Sequence, residues 1–323
     1  MCRVGTASAN SLAKTGCDNQ TITTDQVATT YSCSATSAGG SAARQDVTIQ
    51  RDATAPSVSY TSASGTVGLD SWYTSDVTAT FTGTDVTSGP ASATQTATSS
   101  GEGEAVVVGS PAFTDNAGNT TAAGAAKQSF KVDLTDPTAS FDSSIGSVYF
   151  GSVPAAPTCT AADGVSGPAG CIVAGYSTAV GTHTLTATAT DNAGRTGTAS
   201  QEYTVLAWTL KGFYQPVDMG RVWNTVKGGS TVPLKFQLFA GPTELTSTSA
   251  VKSFTQTTVA CPGASATMAA IDFVTTGGTS LRYDTTGGQF IQNWATPKKP
   301  GTCYVTTMTA QDGSTISANF MLK

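Results

Sequence analysis

Leu185-Thr186-Ala187-Thr188-Ala189-Thr190-Asp191-Asn192-Ala193-Gly194-Arg195, closed by Tyr203-Thr204-Val205-Leu206, is the stretch on which the fold turns. An apolar strand runs into a tight turn, and a second strand leads to a linker. Asp-Asn-Ala-Gly has the residue types a hairpin turn needs, because Asp and Asn tolerate positive φ and Gly adopts it without steric cost. The turn is placed between the last two strands of a module.

The same pattern recurs twice upstream. Phe113-Thr114-Asp115-Asn116-Ala117-Gly118-Asn119-Thr120 closes with Phe130-Lys131-Val132-Asp133-Leu134-Thr135-Asp136-Pro137. Tyr31-Ser32-Cys33-Ser34-Ala35-Thr36-Ser37-Ala38-Gly39-Gly40 closes with Val47-Thr48-Ile49-Gln50-Arg51-Asp52-Ala53-Thr54-Ala55-Pro56. The equivalent glycines 39, 118 and 194 lie 79 and 76 residues apart. A repeat of that length, with a turn signal every ~8 to 12 residues, predicts an all-β chain of tandem immunoglobulin-like β-sandwich modules.

Pro56 and Pro137 block helix and mark the start of the next module. The partition that follows is a partial repeat over 1–52, a repeat over 53–133, a disulfide-bearing repeat over 134–206 and a different module over 207–323. The first copy holds about half the strands of a sandwich, so its remainder is expected upstream in a longer parent chain, together with the partner of Cys2. Met1-Cys2-Arg3-Val4-Gly5-Thr6 lacks the apolar run of a signal peptide, which points the same way.

Beyond Leu206 aromatic residues gather at Trp208, Phe213, Tyr214 and Trp223. Val232, Leu234, Phe236 and Leu238 then alternate with Thr231, Pro233, Lys235 and Gln237, a period of two that buries one face. Ile316, Ala318, Phe320 and Leu322 repeat it near the C-terminus. Asp284-Thr285-Thr286-Gly287-Gly288 predicts a hairpin with a five-residue loop.

Two resemblances accompany these patterns. Asp52-Ala53-Thr54-Ala55-Pro56 and the Asp-Asn-Ala-Gly turns resemble the linkers and turns of bacterial Ig-like and hyalin-repeat-like modules, over residues 1 to about 206. Val232-Pro233-Leu234-Lys235-Phe236, with Gly212-Phe213-Tyr214-Gln215-Pro216-Val217, Cys261, Cys303 and Asp312-Gly313, resembles the C-terminal PxKF domain of exported, actinobacterial-type proteins. Both resemblances imply export, and neither implies a chemistry.

Only 11% of the 323 residues are charged, against roughly 25% in an average soluble protein. A net charge of −5 without a basic patch argues against a nucleic-acid partner, and Lys298-Lys299-Pro300-Gly301 is a solvated turn. No apolar run approaches the ~18 residues of a membrane span. Seven cysteines without a Cys-x-x-Cys pair, and one histidine, do not make a zinc site. Disulfides are expected instead, Cys17 with Cys33, Cys159 with Cys171 and Cys261 with Cys303, which imply an oxidising compartment and a secreted or cell-surface location.

Catalytic constellations are poorly served. His183 would have to anchor any Ser-His-Asp triad, yet no Gly-x-Ser-x-Gly elbow is present. Glu102 and Glu104 alternate with glycines in what reads as a mobile solvated loop, whereas paired glycosidase acids need rigid placement. Two candidate sites remain. Asp52, Asp133 and Asp136 in linkers, with Asp115 and Asp191 in turns, offer the oxygen ligands calcium prefers; the alternative is ordinary backbone hydrogen bonding by turn aspartates. Trp208, Phe213, Tyr214 and Trp223 offer a sugar-stacking platform; the alternative is packing. The expected function is a non-catalytic stalk, spacer or adhesion segment that binds an extracellular glycan or protein, with accessory carbohydrate- or cell-wall-binding modules of a larger secreted enzyme as the second reading.

Overall fold

The computed structural model describes residues 12–263, 269–271, 273–275 and 280–323. Met1 and Cys2 lie outside the described residues. The described residues form β-strands joined by turns, with one short 3₁₀ turn among them at Thr248–Ala250. Among the described residues no helix is long and apolar enough to cross a membrane.

Two compact units divide the chain. The first takes it as far as Thr138, with Ala161–Gly170 and Ala189–Gly197; the second holds Ala139–Thr160, Cys171–Thr188 and Thr198–Lys323. The predicted repeat over 134–206 therefore contributes to both.

In the first unit, Ala13–Thr15, Gln26–Ser37 and Gly40–Arg51 form an antiparallel sheet. Its long hairpin closes where Ser37 pairs with Gly40, at a φ of 132° that suits glycine. Cys17 and Cys33 are bonded across it. Ala35 is its one buried apolar residue among those described.

The following repeat is a sandwich. Ser57–Ser64, Thr78–Thr84 and Thr94–Thr98 make one antiparallel layer; Trp72–Tyr73, Lys127–Val132 and Gly103–Gly109 make the other, with Trp72–Tyr73 joining in parallel. Alternate residues of Thr78–Thr84 point inward, so Ala79 and Phe81 meet Val77, Val108, Phe113, Phe130 and Val132. Tyr73 packs edge-on against Phe130, while Trp72 is buried with the Lys131 ammonium 5.6 Å from its ring centroid. Gly83 lies against the fully buried Phe113, and a Cβ there would stand 2.4 Å from the ring. Gly83→Ala should accordingly cost about 1–3 kcal/mol, measured as a shift of this module's urea midpoint. An unchanged midpoint would mean that the ring moves aside freely.

The placement of the Asp-Asn-Ala-Gly turns needs one correction. Asp191–Gly194 does join the last two strands of its repeat, Gly181–Asp191 and Thr196–Leu206. Asp115–Gly118 instead joins the two-residue strands Phe113–Thr114 and Thr120–Thr121, and the last strand, Lys127–Val132, comes later. Gly103–Gly109 takes that last strand as its antiparallel partner, which leaves the turn on a separate short ladder.

The second unit contains two cores. Leu185, Tyr203 and Val205 are packed by Phe141, Val148 and Phe150; Cys159 and Cys171 are bonded beside them in sequence. The C-terminal module has two five-stranded sheets. One orders Thr209–Gly212, Thr231–Ala240, Gln289–Ala295 and Arg282–Asp284, with Thr243–Leu245 also on Thr231–Ala240; the other orders Trp223–Val226, Thr315–Leu322, Cys303–Ala310, Val251–Val259 and Ala269–Ile271. Val232, Leu234, Phe236 and Leu238 are buried as their period predicts, and so are Ala318, Phe320 and Leu322, with Ile316 partly buried. Asp284 pairs with Gln289, so the predicted five-residue loop is one residue shorter: Asp284 belongs to the ladder. Cys261 and Cys303 are bonded, which completes the three expected pairs.

Candidate functional site

Two acidic clusters stand out, both within the first unit. Asp52, Asp85 and Asp115 form one; Asp133, Asp163 and Asp191 form the other. In each, one carboxylate oxygen per residue lies within 4.8 Å of the other two. The second set follows the first by 81, 78 and 76 residues, so the clusters are the same site built twice.

Each is assembled from three local motifs. The linker aspartate closes a short turn on itself: Asp52 Oδ1 accepts the Thr54 N–H and Asp133 Oδ1 the Thr135 N–H, both at 3.1 Å. The middle aspartate opens an Asp-x-x-Ser-Gly-Pro turn, Asp85 to Pro90 in one and Asp163 to Pro168 in the other. Its Oδ1 gathers the N–H groups of Thr87, Ser88 and Gly89 in the first copy, and of Val165 and Gly167 in the second. The third aspartate opens Asp-Asn-Ala-Gly.

The asparagine of that last turn binds the motifs together. The Asn116 N–H donates to the Gly89 carbonyl and its side-chain amide to the Ser88 carbonyl at 2.9 Å; Asn192 does the same to Gly167 and Ser166. Its role is thus a cross-link between two turns, while the positive φ sits on Gly118 and Gly194. Removing the amide in Asn192→Ala should lower stability by about 1–2 kcal/mol, because the Ser166 carbonyl loses its donor. A thermal melt of the variant checks this; no change would mean that water replaces the amide without cost.

The two copies differ in how the outer oxygens are satisfied. In the first, Asp115 Oδ2 takes the Asn119 side-chain amide at 2.8 Å and Asp52 Oδ2 takes the Ser88 N–H at 3.1 Å. Burial pushes the Asp115 carboxyl up, but the hydrogen bonds from Asn119, Ala117 and Gly118 prevail and hold it below the ordinary range. In the second, Arg195 occupies the place of Asn119, and its guanidinium turns away to Asp136 at 2.9 Å and to the Thr74 carbonyl. The Oδ2 atoms of Asp133, Asp163 and Asp191 are buried without a hydrogen-bond partner. Burial, with the Asp133 and Asp163 carboxylates adding to it, pushes the Asp191 carboxyl above the ordinary range despite the Arg195 N–H.

Of the five aspartates singled out in the sequence, four fall in these clusters. Asp136 does not: its carboxylate pairs with Arg195, beside an open cleft of about 610 Å³ that also touches Leu69 and Thr74. Asp85 and Asp163 were missed, although the repeated Asp-x-x-Ser-Gly-Pro was there to be found.

The remaining candidates have structural tasks. His183 Nε2 is 2.6 Å from the Ala179 carbonyl, and its ring lies 5.3 Å from that of Tyr203. Glu102 is pinned and not part of a mobile loop, since its carboxylate accepts the Leu134 N–H and the Thr135 hydroxyl. Phe213 is buried edge-on against Phe236, so it is not part of an exposed platform; its place is set by the core beneath Thr231–Ala240. Trp208 is partly buried against Phe150, to whose carbonyl its indole N–H donates. The Tyr214 hydroxyl donates to Gln237, and Trp223 sits in the strand paired with Thr315–Leu322.

No known family model matches the chain, and no curated protein matches it. Solved structures do. The three N-terminal domains of the outer capsid protein Hoc of bacteriophage RB49 are 13% identical, covering 83% of this chain and 99% of that one, with a TM-score of 0.30. A tetra-tandem repeat from the extending region of a large adhesion protein is 15% identical, covering 92% and 82%, with a TM-score of 0.28. A Ca²⁺-stabilized adhesin that helps an Antarctic bacterium bind ice is 13% identical, covering 90% and 80%, with a TM-score of 0.27. By its own strands and cores, the chain is all-β, made of tandem immunoglobulin-like β-sandwich modules.

Proposed function

We propose that the chain is a non-catalytic stalk or adhesion segment of an exported bacterial surface protein. The observation that carries this is duplication: one turn-and-aspartate assembly is built twice at the same module positions. A spacer is made by repeating a unit, and its function follows from length, stiffness and display. Three disulfides support an oxidising location. The tasks found for His183 and Glu102 are structural, which supports the same reading.

The carbohydrate-binding alternative draws less support, because Phe213 is buried and the indole N–H of Trp208 is already engaged. Two experiments test the proposal. Antibodies against the chain should label intact producing cells, and its cysteines should resist alkylation until reduced. Deleting the segment should weaken attachment of those cells while leaving extracellular hydrolytic activities unchanged. Labelling only after permeabilisation, with free thiols, would overturn it. Glycan-array binding that disappears in Trp208→Ala or Trp223→Ala would favour the accessory-module reading.

A further inference from the structure

We infer that Asp133, Asp163 and Asp191 form a calcium-binding site, and that the copy at Asp52, Asp85 and Asp115 is the weaker one. Three carboxylates meet with no cationic side chain on their free oxygens. Asp133 and Asp191 are fully buried, and each of the three Oδ2 atoms is enclosed without a donor. Burying an unpaired carboxylate costs several kcal/mol, and three together add mutual repulsion, so the arrangement calls for positive charge at its centre. The nearby cation that could supply it, Arg195, is held by Asp136 and the Thr74 carbonyl instead.

The chemistry selects the ion. All three donors are hard carboxylate oxygens, which suit calcium or magnesium over zinc or copper. Two oxygens bound to one calcium at 2.3–2.6 Å can be no more than about 5 Å apart, and these lie within 4.8 Å of one another. Magnesium demands near-ideal octahedral geometry and keeps most of its water, which a site with three enclosed oxygens cannot easily accommodate. The Oδ1 atoms, held by the Thr135, Val165, Gly167 and Arg195 N–H groups, fix each carboxylate in orientation before an ion arrives.

The first cluster provides the internal comparison. There the Asn119 amide and the Ser88 N–H already occupy outer oxygens, so calcium would have to displace or share with donors in place. Asn119 and Arg195 hold equivalent positions, and this exchange, together with the Ser88 N–H on Asp52, distinguishes the occupied copy from the open one.

The full chain, dialysed against chelator and then titrated with calcium up to ~10 mM, tests the assignment by calorimetry and thermal melting. Extracellular modules bind calcium at about 10⁻⁴–10⁻³ M. Saturation should raise the melting temperature of the module by ~5–10 °C, and chelator should reverse it. Asp163→Asn keeps an Oδ1 acceptor for the Val165 and Gly167 N–H groups while removing the charge. In chelator it should melt at or above the wild-type temperature, and it should lose the strongest binding event and the calcium shift. Asp85→Asn should keep both. Magnesium at the same concentrations should give less than a third of the shift. The inference is overturned if wild type shows no calcium response, or if Asp163→Asn binds calcium as well as wild type. It is equally overturned if Asp85→Asn is the variant that loses the strongest event.

Discussion

Phe236→Ala should unfold the C-terminal module at temperatures where the rest of the chain remains folded. Phe236 is fully buried, stacked on Phe290 at 5.2 Å between ring centroids, and met edge-on by Phe213 and Phe254. Truncation removes the transfer free energy of the ring and leaves a cavity that its three aromatic neighbours cannot fill, at a cost of about 3–5 kcal/mol. That is a large share of the 5–15 kcal/mol by which domains are stable. The buried Trp294, 4.8 Å from Phe320 between ring centroids, gives a fluorescence signal for this module in a urea titration. Phe239, on the same strand but facing outward with the Lys211 ammonium over its ring, is the control. Phe239→Ala should cost only about 1 kcal/mol. Equal losses at 236 and 239 would contradict the alternation on which the strand was assigned.

Removing the Cys261–Cys303 bond should be nearly as severe. It closes a loop of 42 residues, for which restriction of the unfolded chain amounts to about 4 kcal/mol. Cys303 is fully buried on a central strand, so alanine is the right replacement: serine would add a buried hydroxyl to the effect of the lost bond. In Cys261→Ala/Cys303→Ala the urea midpoint of this module should fall, and adding reductant should shift it no further. The Cys159–Cys171 bond closes a shorter loop of 12 residues and should give a smaller loss, about 3 kcal/mol. A larger loss there than at 261–303 would sink the loop-length account.

What the sequence made visible follows from the range over which each feature is encoded. Strands such as Thr231–Ala240 declare themselves through strict alternation, and the hairpin at Ala38-Gly39 through its turn residues; both are local. The disulfide pairs follow from the division into modules. The acidic clusters were half legible. Asp115 and Asp191 sit in a visible turn motif, and Asp52 and Asp133 in visible linkers, but Asp85 and Asp163 lie some thirty residues from either and meet them through contacts between turns, among them the asparagine cross-link. That Asp136 stands apart from the clusters was not legible, because its partner, Arg195, is 59 residues away in sequence. Phe213 joined its aromatic neighbours by proximity in the chain, although it is buried against Phe236, a contact made 23 residues away in sequence.

Each acidic cluster borrows its first member from the end of the preceding repeat and takes the other two from the next. Asp52 and Asp133 are both followed two residues later by the threonine whose N–H they hold. The repeat is therefore interchangeable at its seams: excising residues 53–133 would splice Asp52 directly onto Leu134-Thr135 and present it to Asp163 and Asp191 in the place of Asp133. A lineage could lengthen or shorten such a chain by unequal recombination without redesigning a junction. Copy number could then change in steps of one whole module.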